Sequence, residues 1–106
     1  MNVVVVGFTT PKGRKISDFL QSRGACVYGL DRNIDGDYRS LTRRFSLNPR
    51  HRESMRLMFE IAKPTALIYC ISDDGKNREN YIPFLNVLTV GVGFGISKVA
   101  LVINEN

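Results

Sequence analysis

The sequence contains no tryptophan, one histidine and only two cysteines. Cys26 and Cys70 have no Cys-x-x-Cys partner and no neighbouring histidine, so the sequence predicts neither a disulfide framework nor a metal site. Each cysteine lies in an apolar run, and we expect two buried thiols in a reducing, cytoplasmic compartment. His51 stands among arginines, and we do not expect it to act as a catalytic base.

Long hydrophobic segments are also scarce. The longest weakly charged segment, PFLNVLTVGVGFGISKVALVIN, contains Asn86, Lys98 and three glycines. We interpret it as a helix followed by a strand, not as a membrane span. A valine run begins at Val3 without a preceding basic segment, which predicts that no secretory signal is present. The 106 residues suit one small domain, residues 1–106, with a single core.

Positive charge is in excess, with a net charge of +5. Much of the excess comes from a group of arginines: Arg32, Arg39, Arg43, Arg44, Arg50, Arg52 and Arg56. Such a surface attracts nucleic acid, anionic lipid or a phosphorylated small molecule. The alternative is a solvated loop and helix face without a ligand.

Five segments are predicted to be strands, and the valine run among them has the composition of a strand buried on both faces. They are Val3–Val6, Ala25–Leu30, RRFSL, TALIYCIS and KVALVIN. Three segments between them have helical patterns. Because strands and helices alternate, the sequence predicts an α/β fold: a Rossmann-like three-layer domain with a five-stranded parallel sheet in the order 3-2-1-4-5.

The first helix is predicted over Pro11–Ser22, with Thr10 as its cap and Gly24 after its end. Ile16, Phe19 and Leu20 have the spacing of one buried face.

The second helix is predicted to begin at Asn48 and Pro49 and to end before Pro64. Its core face is formed by Met55, Met58, Phe59 and Ala62. The third helix is predicted from Ile82 to about Phe94.

The segment GFTTPKG follows the first strand and opens the first helix. Gly7 permits a tight turn, and Gly13 permits close packing of the helix on the sheet. The amides at the start of the helix then face any bound phosphate, while Asp31, at the end of the second strand, suits a ribose diol. The alternative is a tight turn that binds nothing.

These motifs resemble the nucleotide-binding domain of extended short-chain dehydrogenases, the NAD-dependent epimerases and dehydratases. The GxxGxxG pattern of that family falls on Gly7, Thr10 and Gly13, and Ser46 takes the place of its adenine-contacting Asp. The resemblance implies that the chain binds a nucleotide or dinucleotide, and that it binds NAD or NADP weakly. The residues that it implies for cofactor binding are Gly7, Thr9, Thr10, Gly13, Arg14, Asp31, Arg32, Ser46 and Ser72.

Two departures from the family pattern affect the cofactor path. Thr10 puts a side chain where the pyrophosphate comes closest, and Ile71 is bulky where the family has a small residue. The catalytic Tyr-x-x-x-Lys of the family has no counterpart in this sequence.

Three hypotheses follow. The chain is a cofactor-binding domain that is not catalytic alone, a basic interaction module for nucleic acid or an acidic partner, or the cofactor subunit of a split reductase. The resemblance also implies a homodimer through residues 82–94.

Overall fold

The structure, a computed structural model, describes residues 1–31, 41–71 and 81–104. In chain order its elements are β1 (Asn2–Val6), α1 (Pro11–Ser22), β2 (Cys26–Asp31), β3 (Arg43–Ser46), α2 (Arg52–Ala62), β4 (Ala66–Ile71), α3 (Tyr81–Gly93) and β5 (Lys98–Ile103). The strands form one sheet in the order β3-β2-β1-β4-β5, and every pairing is parallel. The predicted fold class and strand order are confirmed. The predicted residues Arg32 and Ser72 lie outside the described ranges.

The centre of the sheet is β1, whose side chains are buried on both faces. Val3 and Val5 belong to a core cluster that Ile16 and Leu20 of α1 cover. Val4 and Val6 belong to a larger cluster that α2 and α3 cover. The sheet is therefore the middle of three layers, as a parallel sheet with apolar residues on both faces requires.

Helix α1 packs through small residues. Its fully buried positions are Gly13 and Ser17, with Ile16 and Leu20 partly buried beside them. The prediction that Phe19 is buried is wrong, because Phe19 is 57% exposed. It follows Ser17 by two residues, which places it about 200° around the helix, on the solvent side. There the Arg23 guanidinium lies over its ring.

Helix α2 begins later than Asn48 and Pro49 predict. The Asn48 side chain accepts a hydrogen bond from the Arg50 amide, and its carbonyl accepts one from the His51 amide. These bonds close a turn, a common alternative to a helix cap for asparagine. The helix starts at Arg52 after this turn, and its predicted core face is buried as expected: Met55, Met58, Phe59 and Ala62.

The predicted division of the last apolar segment is confirmed, since it forms α3 and β5. No helix among residues 1–31, 41–71 and 81–104 is long and apolar enough to cross a bilayer. Several large apolar side chains of α3 and the residue after it are exposed by two-fifths or more: Ile82, Leu85, Val92 and Phe94. Val99 and Leu101 of β5 are also exposed.

The contact between α1 and β1 gives a stability prediction. A Cβ at Gly13 would collide with the Gly7 carbonyl oxygen, whereas a Cβ at Gly93 would meet nothing within 4 Å. We expect Gly13→Ala to lower the free energy of unfolding by about 3 kcal/mol, because the backbone of the turn must move. Gly93→Ala should raise it by up to about 1 kcal/mol through helix propensity. Urea unfolding measures both, and an equal effect of the two changes would contradict this packing.

Candidate functional site

The site lies at the carboxyl end of β1, where the winding of the sheet reverses. Gly7 has φ +76°, and its amide donates to the Leu30 carbonyl oxygen at 2.8 Å. A Cβ there would lie 2.5 Å from the Cys70 carbonyl oxygen. Both the backbone conformation and the space between β2 and β4 therefore require glycine at position 7.

Thr10 is the N-cap of α1, as predicted. Its hydroxyl donates to the Gly7 carbonyl oxygen at 2.7 Å and accepts from the Gly13 amide at 3.2 Å. It also accepts from the Asn104 side-chain amide at 3.1 Å. These three bonds match the one donor and two acceptor positions of a hydroxyl. Thr10, which replaces the middle glycine of the GxxGxxG pattern, therefore stabilises the turn through hydrogen bonds in addition to occupying space beside it.

Asn104 is a site residue that sequence analysis did not find. It follows β5 directly, and its side chain lies against the first turn of α1, with the residue 5% exposed. Its Oδ1 accepts from the Lys12 amide at 3.0 Å, and its Nδ2 also lies 3.4 Å from the Ile71 carbonyl oxygen. No local pattern could have identified it, because its partners in the turn are more than 90 residues away in sequence.

The amides at the start of α1, which were expected to face a bound phosphate, already have hydrogen-bond partners within the chain. Pro11 has no amide hydrogen. The Lys12 amide donates to Asn104, the Gly13 amide to Thr10 Oγ1, and the Arg14 amide to the Thr10 carbonyl oxygen. The donors that a helix start offers to an anion are thus bonded within the chain.

Three of the predicted site residues lie at the carboxyl ends of β1, β2 and β3. Asp31 ends β2, and its carboxylate accepts a hydrogen bond from the Thr9 hydroxyl. Ser46 of β3 is the register partner of Asp31. Thr9, Asp31 and Ser46 therefore meet at one edge of the sheet. Arg14 is exposed on α1.

Tyr69 and Arg50 lie near the same edge and were not predicted as site residues. Burial raises the pKa of Tyr69 to about 12; the negative charge of Asp31 adds to this effect and the positive charge of Arg50 opposes it. The phenol of Tyr69 therefore lies within electrostatic range of the Asp31 carboxylate and the Arg50 guanidinium. Tyr69 remains a neutral hydrogen-bonding group at physiological pH.

The Ile71 side chain lies in the core at the end of β4. It is 5% exposed and belongs to the core cluster beneath α2 and α3. Its backbone carbonyl, not its side chain, takes part in the site through Asn104.

The two cysteines differ. Cys70 is buried beside the turn, and burial raises its pKa to about 11, against smaller opposing effects of a side-chain interaction with Thr10 and the charge of Lys12. The prediction that Cys26 is buried is wrong, because it is exposed. It is the first residue of β2 and lies outside both core clusters.

No group of three or more metal-ligating side chains occurs within the ranges that the structure describes.

A parallel sheet in this order, with helices on both faces and a glycine turn after β1, is the Rossmann-like α/β fold. Solved structures share it. The UDP-glucose 4-epimerase of Thermotoga maritima has a TM-score of 0.79 and 18% identity, over 95% of this chain and 37% of its own. The UDP-glucose 4-epimerase of Thermus thermophilus, a complex with NAD, has a TM-score of 0.78 and 22% identity, over 93% and 36%. A GalE-like L-threonine dehydrogenase from Cupriavidus necator has a TM-score of 0.76 and 20% identity, over 93% and 35%.

The resemblance drawn from the motifs is confirmed at the level of the fold. This chain spans little more than a third of the length of those enzymes. No protein-family model matches the sequence, and no curated protein matches it.

The cysteines give a prediction for thiol chemistry. Thiolate is the reactive form, and the raised pKa of Cys70 keeps it protonated at about pH 8. We expect iodoacetamide to label Cys26 at least about a hundredfold faster than Cys70, and the Cys70 rate to rise with pH up to about 11. Mass spectrometry of the parent and of Cys26→Ser measures this. Rapid labelling of Cys26→Ser at about pH 8 would contradict this prediction, because it would show that Cys70 is accessible and ionised there.

Proposed function

We propose that this chain is a Rossmann-like domain that binds the ribose of a nucleotide, binds intact NAD or NADP weakly, and catalyses nothing on its own. The observation that carries the proposal is the placement of Asp31 at the end of β2, held by Thr9 and beside Ser46. A carboxylate at this position suits a ribose diol. Two of the similar solved structures described above bear on the ligand: the Thermus enzyme holds NAD and the Thermotoga enzyme holds UDP-glucose.

Weak dinucleotide binding follows from the turn. Thr10 stands at the pyrophosphate path with its hydroxyl engaged in three hydrogen bonds. The lack of Tyr-x-x-x-Lys in the sequence supports the absence of hydride chemistry by this chain alone. A separate chain that supplies those residues would make it the cofactor subunit of a split reductase. The ligand and the reducing environment implied by the free thiols both suit the cytoplasm.

Calorimetry with NAD tests the proposal. Thr10→Gly should tighten binding by about tenfold, equivalent to roughly 1.4 kcal/mol, because it removes the side chain from the pyrophosphate path. Asp31→Ala should weaken binding, because the ribose loses its acceptor. Glu60→Ala, which removes an exposed carboxylate of α2 away from the site, is the matched control and should have no effect.

Failure of NAD and NADP to bind either the parent or Thr10→Gly would contradict the proposal. A hydride-transfer assay accompanies the titration, and turnover that is lost on changing a residue of this chain would overturn the non-catalytic part.

A second candidate function is an interaction surface on the arginine-rich face. The five arginines of this face that the structure describes are exposed: Arg43, Arg44, Arg50, Arg52 and Arg56. A cleft of about 270 Å³ between α2 and α3 is lined by Arg52, Arg56 and Phe94, among others. Two basic groups beside an aromatic ring suit an acidic partner or nucleic acid. Binding that weakens steeply with salt and survives Asp31→Ala would favour this function.

The exposed apolar side chains of α3 support a homodimer through residues 82–94. Leu85 is 55% exposed and Val92 63% exposed, on a helix whose opposite side packs on the core. Light scattering after size exclusion should give a dimer mass for the parent and a monomer mass for Leu85→Glu. Phe19→Glu, on α1 across the sheet and similarly exposed, should leave the dimer intact. A monomeric parent at high concentration would contradict this interface.

A further inference from the structure

A group of hydrogen bonds joins the end of β5 to the start of α1. Asn104 Oδ1 accepts from the Lys12 amide, and Asn104 Nδ2 donates to Thr10 Oγ1. Lys12 Nζ donates to the Ile103 carbonyl oxygen at 2.7 Å. The Asn104 amide donates to the Ile71 carbonyl oxygen at 2.7 Å, which fixes the asparagine backbone against β4. The asparagine is thus held through both its backbone and its side chain.

The Asn104 carboxamide oxygen is the acceptor of an amide in the first turn of α1, a type of donor that also binds anions. In a Rossmann-like domain the phosphate oxygens accept hydrogen bonds from amides at the start of the first helix. Here Asn104 Oδ1 accepts a hydrogen bond from one of these amides, that of Lys12. Asn104 is nevertheless neutral and 5% exposed, with its side-chain nitrogen and its oxygen both bonded. A diphosphate over the turn must therefore displace it, at the cost of these bonds.

We propose that Asn104 is an internal occupant of the diphosphate position and determines the class of ligand that the site accepts. A nucleoside reaches Asp31 without disturbing Asn104, so the parent gains little from added phosphates and binds adenosine and ADP alike. This inference rests on the proposed ribose site, but the claim that Asn104 occupies the diphosphate position concerns the turn alone.

Titration with inorganic pyrophosphate, which has no ribose, tests whether Asn104 occupies the diphosphate position. We expect the Lys12 amide resonance of the parent to stay in place during titration with pyrophosphate. In Asn104→Ala it should shift, with affinity for pyrophosphate raised roughly tenfold, as one freed donor to a charged group allows. Asn104→Asp keeps an acceptor for the Lys12 amide and adds a negative charge, so it should bind pyrophosphate more weakly than the parent. Asn86→Ala removes an asparagine that bonds the Pro49 carbonyl oxygen elsewhere and should behave as the parent.

Hydrogen exchange in the parent keeps the test decisive where Asn104→Ala does not fold. A first-turn amide has no intrahelical acceptor and exchanges quickly, whereas a Lys12 amide bonded to buried Asn104 should exchange at least about tenfold more slowly. Rapid exchange of Lys12 would overturn the proposal. So would a folded Asn104→Ala in which pyrophosphate leaves the Lys12 amide unmoved.

A second titration compares adenosine with ADP. The ratio of their affinities should be near one in the parent and roughly tenfold in favour of ADP in Asn104→Ala. Equal ratios in the two proteins would overturn the assignment of ligand class. Failure of both ligands to bind, with the pyrophosphate result as expected, would contradict the ribose site and the ligand class while upholding Asn104 as the occupant of the diphosphate position.

Discussion

Parallel pairing of β1 between β2 and β4 is the constraint from which the rest of the structure follows. Val4 and Val5 of β1 have no exposed surface, and they point to opposite faces of the sheet. Each face must be covered by helices, because a bare apolar face costs about 25 cal/mol per Å². The covering helix α1 must then leave the sheet at the end of β1 through a sharp turn. That turn, with Gly7 at φ +76°, creates the edge where the candidate site lies.

The elements that depend on local pattern could be predicted from the sequence. The valine run, the Thr10–Pro11 start of α1 and the stripe of Met55, Met58 and Phe59 each contain their own signal. The strand order follows from general rules of βαβ handedness and winding. Asp31 could be placed for the same reason, since the end of β2 must adjoin the end of β1.

The predictions that failed depended on contacts with a particular neighbour. Asn48 was expected to cap a helix, but its side chain closes a turn that delays the helix to Arg52. Phe19 satisfied an apolar spacing, yet the small pair Gly13 and Ser17 sets which side of α1 faces the sheet. Asn104 gave no signal in sequence, because its role depends on where β5 ends relative to the first turn of α1.

Thr10 and Asn104 together explain how a glycine-pattern turn persists without its middle glycine. A side chain at position 10 is expected only to obstruct, but its hydroxyl satisfies the Gly7 carbonyl oxygen and the Gly13 amide. Asn104 then satisfies the Lys12 amide that Thr10 does not bond. The polar groups at the start of α1 are thus satisfied by hydrogen bonds within the protein.

The bond between Lys12 and Asn104 also has a consequence for the order of folding. It joins residues 92 positions apart, so it can form only after β5 has paired with β4. Contacts of such high sequence separation carry a large loop-closure cost and form late. During synthesis on the ribosome, β1 and α1 emerge long before Asn104. During that interval the Lys12 amide in the first turn of α1 lacks the acceptor that Asn104 later provides. The candidate site is thus among the last parts of the domain to reach its final geometry.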